Sequence, residues 1–231
     1  MEVILAVNYK AYYPHSFGPN AVRIAKDAVK VQEETGVTII LAPPFTEIRK
    51  IIEEVSGSKV KVFAQHADPV EPGAATGYIP LEGLADAGVK GVIINHSEHR
   101  LKLADINYLV KKARQLGLET LVCADVPETG AAVAVLNPSM IAVEPPELIG
   151  TGVSVSKAKP EVVTSSVELI KRINPSVKVL TGAGITTGED SYMAVKLGTV
   201  GVLVASGIVK SKDPYSVMRD LALGMIKALE K

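Results

Sequence analysis

The chain is predicted to fold as a single α/β domain over residues 1–231, a closed (β/α)8 barrel with a parallel eight-stranded core. Three observations carry that prediction. Eight short runs rich in Val and Ile are nearly unbroken in hydrophobicity, as strands buried on both faces of a parallel sheet must be. Amphipathic segments separate these runs at regular intervals, and no Pro/Gly/Ser-rich linker divides the chain. The length of 231 residues and the 47% hydrophobic content suit one barrel with a large core. An open doubly wound sheet has similar content, but its usual mark, G-x-G-x-x-G in the first strand–helix turn, is absent.

The elements follow in order. The run VILAVN (3–8) precedes a helix over 21–34, announced by Pro19-Asn20 and stopped by Gly36. VTIILA (37–42) precedes an amphipathic stretch at 45–55, and VKVFAQ (60–65) precedes one at 81–87. GVIIN (91–95) leads to a helix over 104–116, closed by Gly117, and ETLVCA (119–124) to one over 129–136. MIAVE (140–144) is followed, after a loop, by 160–173, which Pro160 opens. VKVLT (177–181) leads to 188–197, and VGVLV (200–204) to a last helix over 214–229, opened by Asp213-Pro214.

Bulk composition excludes several functions. Lys+Arg and Asp+Glu are each 25, so the formal charge is zero and no electrostatic footprint for nucleic acid or an anionic membrane is present. The N-terminus MEVILAVNYK lacks the basic region of a signal peptide, and no apolar run approaches the roughly eighteen residues a bilayer span needs. The single cysteine, Cys123, leaves no internal disulfide and fits a reducing compartment. A soluble cytoplasmic protein is expected.

In either fold catalytic groups belong at the C-terminal ends of the strands. Strand one ends Asn8-Tyr9-Lys10, where alternation puts an amide and a cation on one face; the alternative is a solvated loop lysine. Strand four ends Asn95-His96-Ser97-Glu98, with Ser97-Glu98 resembling the start of a short helix whose dipole would disfavour a cationic imidazole. His96 reads equally as a half-buried histidine with a backbone partner. Strand six ends in Glu144, followed by Pro145-Pro146, the apolar Leu148-Ile149 and Gly150-Thr151-Gly152. A carboxylate under a hinged apolar flap would be desolvated and its pKa raised toward that of a useful base; a salt-bridged strand end is the alternative. The last two loops, Gly182-Ala183-Gly184 and Ala205-Ser206-Gly207, are small enough for backbone N–H groups to approach a phosphate. Together these groups suit proton transfer between carbons beside a carbonyl.

These segments resemble the triosephosphate isomerase family. The matching pieces are N-Y-K (8–10), N-H-S-E-H-R (95–100), A-V-E-P-P-E-L-I-G-T-G (142–152), G-A-G (182–184) and L-V-A-S (203–206), in the family's order and across the whole chain. The resemblance implies a TIM barrel that interconverts dihydroxyacetone phosphate and D-glyceraldehyde 3-phosphate through an enediolate, in glycolysis and gluconeogenesis, with neither cofactor nor metal. By resemblance Glu144 is the base, His96 the electrophile, Lys10 the electrostatic stabiliser, and Glu98 a partner of Lys10 that tunes the site. Asn8 and Lys10 would contact substrate, and Ile149, Gly150, Gly184, Ala205 and Ser206 would surround its phosphate.

Departures from the commoner pattern include Pro146-Glu147-Leu148 in the flap, Gly184 where Ser is usual, and Ala205-Ser206 for a Gly pair; with the short chain, they resemble the compact archaeal branch, often tetrameric. Residues 71–80 resemble the family's protruding loop that inserts into a partner subunit, with Thr76 at the position nearest the neighbour's site. A homo-oligomer follows, a tetramer or a dimer, whose other partner is a small triose phosphate rather than nucleic acid or membrane. His15, His66 and His99 lack metal-like spacing, and Cys123 reads as packing. The rivals are a metal-dependent sugar-phosphate epimerase barrel and a catalytically dead barrel.

Overall fold

A computed structural model describes residues 2–145, 148 and 154–230. Its strands are β1 (Ile4–Asn8), β2 (Thr38–Ala42), β3 (Lys61–Ala64), β4 (Gly91–Ile94), β5 (Glu119–Ala124), β6 (Met140–Val143), β7 (Lys178–Thr181) and β8 (Gly201–Val204). They pair in chain order, all parallel, and β8 returns to β1 with Ile4 opposite Gly201, closing the barrel. The helices are α1 (Gly18–Thr35), α2 (Ile48–Glu54), α3 (Leu81–Ala87), α4 (Leu103–Gln115), α5 (Pro127–Ala134), α6 (Val155–Ala158), α7 (Pro160–Ile173), α8 (Gly188–Lys196), α9 (Ser206–Val209) and α10 (Pro214–Leu229). All eight predicted strands are present, and the predicted 45–55 segment is a 3-10 turn, Phe45–Glu47, running into α2. The one-turn helices α6 and α9 have no counterpart in the sequence reading, because four residues carry too little periodicity to read.

The unbroken hydrophobicity of the strands has its cause in three buried clusters. One parity fills the barrel, where Ile4, Ala6, Ile40, Phe63, Ile93, Leu121, Met140, Ala142, Leu180 and Leu203 meet. The other parity faces the helices, with Leu5, Val7, Ile39 and Leu41 on one side and Val92, Ile94, Val122, Ile141 and Val143 on the other. Gly91 makes room for the barrel's largest interior side chain, since a Cβ there would lie 2.5 Å from the Phe63 ring and 2.5 Å from the Glu119 carbonyl. A fully buried Phe contributes on the order of 1.5–3 kcal/mol. α1 stops as predicted, with Gly36 at φ 71 donating its N–H to the Gln32 carbonyl.

The pleat also sets the mouth. Inward parity on β1 runs Ile4, Ala6, Asn8, and on β6 Met140, Ala142, Glu144, so the last member of each row is polar and buried at the C-terminal end. No helix among the described residues is long and apolar enough to cross a membrane.

Candidate active site

At the end of β1 the Asn8 side-chain oxygen accepts the Lys10 backbone N–H at 3.0 Å, and Lys10 adopts φ 50. The Gln65 amide donates to the carbonyls of Lys10 (3.1 Å) and Ala42 (2.9 Å), fixing this turn against the end of β2. Lys10 Nζ donates to Glu98 Oε1 at 2.7 Å. Burial opposes the ammonium charge, but the hydrogen bond and charge of Glu98 outweigh it, and Lys10 is held above the ordinary lysine range.

At the end of β6 the Glu144 N–H donates to the Ala124 carbonyl at 2.8 Å, which seats the residue on the end of β5. The side chain is buried, and Oε2 has no hydrogen-bond partner among the described residues. Burial pushes the carboxyl above the usual carboxylate range, against the opposing pull of His96, the Cys123 thiol and Lys10. Gly182, the first residue past β7, is the floor under this carboxylate; a Cβ there would meet Glu144 Oε1 at 2.5 Å.

His96 reaches the mouth by a break in alternation. On β4, Ile93 points into the barrel and Val92 and Ile94 point toward the helices, so strict alternation would turn Asn95 inward and His96 outward. Asn95 adopts φ 61, the faces exchange, and His96 lines the central pocket with Glu144. Its Nδ1 accepts the Glu98 backbone N–H at 3.2 Å, which leaves the ring proton on Nε2, the nitrogen 3.7 Å from Glu144 Oε2. The short helix expected after His96 is not there. Residues 97–99 form a turn closed by the His99 N–H on the His96 carbonyl at 2.8 Å, and α4 begins only at Leu103. A single backbone N–H, rather than a helix N-terminus, faces the imidazole.

Asn8, Lys10, His96, Glu144, Gly184, Ala205 and Ser206 line one pocket. Ala183 and Gly184 both adopt φ 70, and Ser206 opens α9 directly after β8. Glu98 does not line that pocket and reaches the site through Lys10 from an adjoining cleft. Ile149 and Gly150, with Pro146, Glu147, Thr151 and Gly152 of the predicted flap, lie outside the described residues. Tyr12 and Thr186 also line the pocket and were not read from the sequence. Thr186 had a signal, since Thr187 and Asp190 form a capping box at the start of α8 and fix the loop one residue after Thr186. Tyr12 had none, because its place depends on the turn at Lys10.

The loop 71–80 is ordered at its base, where Glu71 accepts hydrogen bonds from Tyr108 Oη (2.6 Å) and Lys112 Nζ (2.8 Å), and Thr76 is exposed. His66 stacks on His99 with ring centroids 3.7 Å apart. Among the described residues no group of three His, Cys, Asp or Glu side chains is placed to hold a metal ion.

A desolvated carboxylate, an imidazole N–H and an ammonium around one pocket at the C-terminal mouth of a parallel barrel define a barrel enzyme of the proton-transferring kind. Comparison with known proteins specifies which. The family model for triosephosphate isomerase matches residues 3–222. The triosephosphate isomerase of Caldivirga maquilingensis is 54% identical over 96% of this chain and 97% of its own. Those of Methanocaldococcus jannaschii (51% over 95% and 98%) and Methanothermus fervidus (49% over 96% and 98%) are comparably similar. The chain belongs to the triosephosphate isomerase family and is an intramolecular aldose–ketose isomerase.

Proposed function

We propose that the chain interconverts dihydroxyacetone phosphate and D-glyceraldehyde 3-phosphate, the triose-phosphate step of glycolysis and gluconeogenesis, with Glu144 moving the proton. The observation that carries this reading is the buried Glu144 carboxylate, its Oε2 without a hydrogen-bond partner among the described residues and 3.7 Å from His96 Nε2 in the pocket that Lys10 also lines. A glutamate base with a neutral histidine is this family's known pairing, and the roles are taken over from it.

Glu144 removes a proton from the carbon beside the substrate carbonyl. The raised pKa of the carboxyl brings it closer to the working pH, which improves a general base. As charge moves onto the carbonyl oxygen, the His96 Nε2–H donates to it and the Lys10 ammonium stabilises it. A fixed donor of this kind is worth on the order of 10²–10³ in rate. His96 Nε2 gives its proton to the former carbonyl oxygen and takes the proton of the neighbouring hydroxyl, and Glu144 returns the abstracted proton to the adjacent carbon, completing the exchange of aldehyde and ketone. Backbone N–H groups about Gly184, Ala205 and Ser206, which line the pocket, would hold the phosphate at its other end, and by the family resemblance Ile149 and Gly150 would contact it as well. Glu98 keeps the Lys10 ammonium charged and aimed through the 2.7 Å hydrogen bond.

The test is a coupled assay for the two triose phosphates in EDTA, with Glu144→Gln alongside. Rapid chelator-resistant turnover that collapses in the variant supports the reading; activity abolished by EDTA selects a metal-dependent epimerase instead.

The protein is further proposed to work in the cytoplasm as a homo-oligomer, a tetramer or a dimer, in which loop 71–80 with Thr76 packs on a second copy. Exposed Tyr13 and Tyr78, 85% and 57% accessible, suit such a contact. Light scattering that returns a monomer at every concentration would remove this assembly.

A further inference from the structure

The exchange of faces at the end of β4 has one residue at its centre, and the catalytic reading gives that residue no role. Asn95 is buried and non-glycine in the left-handed region, where Asn is among the few side chains that sit without heavy strain. Its amide is used at both ends. Nδ2 donates to the Cys123 carbonyl on β5 at 3.0 Å, and Oδ1 accepts the Leu101 N–H at 2.9 Å. The first bond fixes the start of the His96 turn to the neighbouring strand, and the second fixes its end. The next carbonyl of β5, that of Ala124, accepts the Glu144 N–H at 2.8 Å. Two successive carbonyls of one strand therefore hold the residue before His96 and the backbone of Glu144. Arg100 adds a second tie across the same boundary, 3.2 Å from Asp125.

We propose that Asn95 is a positioning residue for His96, an amide clamp that reverses strand parity and references the imidazole to the same β5 end that seats Glu144. It touches no substrate, since its side chain faces a cleft with Leu101, Ile106 and Val133 beneath α4. The clamp contributes to turnover through the His96 ring alone and leaves the phosphate end unaltered. The inference rests on the electrophile role proposed for His96.

Asn95→Gly keeps the φ value and removes both amide bonds; Asn95→Asp keeps the acceptor for Leu101 N–H and loses the donor to Cys123. Both are measured as intact protein for kcat, KM, thermal midpoint and the 15N signals of the His96 ring. Expected is a fall in kcat of tenfold or more in Asn95→Gly, in line with the penalty for sub-ångström misplacement of a reacting group. A smaller fall is expected in Asn95→Asp, with KM within twofold of wild type in both. In Asn95→Gly the His96 ring signals should show loss of the fixed Nε2-protonated tautomer. Wild-type kcat in a folded Asn95→Gly overturns the proposal, as does a loss of activity with unchanged His96 signals. His96→Gln, run in parallel, separates the two readings. If it has no effect, the electrophile role falls and the clamp with it; if it is strongly impaired while Asn95→Gly is not, only the clamp falls.

Discussion

Gly182→Ala adds one methyl group at the place where the site has least room. The new Cβ would lie 2.5 Å from Glu144 Oε1, 2.8 Å from Cγ and 2.9 Å from Cδ. Carbon atoms pack best at roughly 3.5–4.0 Å, so the Glu144 side chain would have to retreat by about 1 Å. It cannot swing to solvent, being buried, and His96 Nε2 stands 3.7 Å away on the reacting side. A displacement of about 1 Å at a reacting group costs on the order of 10²-fold in rate, so kcat should fall by roughly that factor while the phosphate cradle, and with it KM, changes little. Overpacking of this kind also destabilises by about 1–3 kcal/mol, or roughly 2–12 °C in thermal midpoint for a chain of this size. The measurement is kcat and KM in the coupled assay together with calorimetric midpoints for Gly182→Ala in the wild-type, Glu144→Gln and Glu144→Ala backgrounds. Glutamine has the same shape, so the midpoint loss should persist there. Alanine vacates the space, so the loss should disappear. A Gly182→Ala enzyme within threefold of wild-type kcat, or an equal midpoint loss in the Glu144→Ala background, would refute the steric argument.

The other predictions use the charges. Glu144→Gln should lower kcat by on the order of 10²–10⁴ or more and at the same time raise the thermal midpoint at neutral pH. Burial holds the Glu144 pKa above its unfolded value, so the group favours the native state only below the ordinary carboxylate range, and that contribution is lost as pH rises through the raised value. Each unit of that rise corresponds to about 1.4 kcal/mol. The midpoint gain of the variant should therefore grow from pH 4 to pH 8, and a gain that shrinks over this range contradicts the burial argument. Asp190 runs the other way. Burial opposes its charge, yet Lys157 Nζ at 2.8 Å and the Thr186 and Thr187 N–H groups hold its pKa at about 2 against an ordinary 3.8. Its stabilisation is present above about pH 4 and lost as pH falls toward 2. After discounting for the exposed Lys157, Asp190→Asn should cost roughly 1–2 kcal/mol at pH 7. Midpoints at pH 7 and pH 2.5 check this, and a difference undiminished at the lower pH rules it out.

What could be read from the sequence divides along the pleat. The barrel is legible in eight nearly unbroken apolar runs separated by amphipathic segments, and Asn8 and Glu144 extend, by period-two alternation, the inward rows that begin Ile4-Ala6 and Met140-Ala142. His96 does not follow from it. Alternation from Ile93 sends His96 to the outside, and it is its position at the end of a strand, together with the family motif, that marks it for the mouth. The missing physical step is a backbone torsion at Asn95, which no periodicity encodes, although Asn at a strand end is the residue type that tolerates it. The predicted helix after Ser97 failed for a related reason. A Ser-Glu pair resembles a helix start, but the Asn95 amide captures the Leu101 N–H and the His99 N–H turns back to the His96 carbonyl, so the turn closes on itself before α4 begins. What stands in place of that helix is one N–H aimed at Nδ1, which fixes which ring nitrogen is left to donate. Tyr12 was missed because the turn that places it is held by side chains distant in sequence, Glu98 and Gln65 on Lys10, whereas Thr186 is held by Asp190 only four residues on, through the capping box of α8. Alternation therefore delivers the groups that a straight strand can carry to the mouth, and side-chain-to-backbone clamps deliver the rest. Asn95 and Gly182 are the two positions where such a clamp and such a close approach decide the geometry of the His96–Glu144 pair.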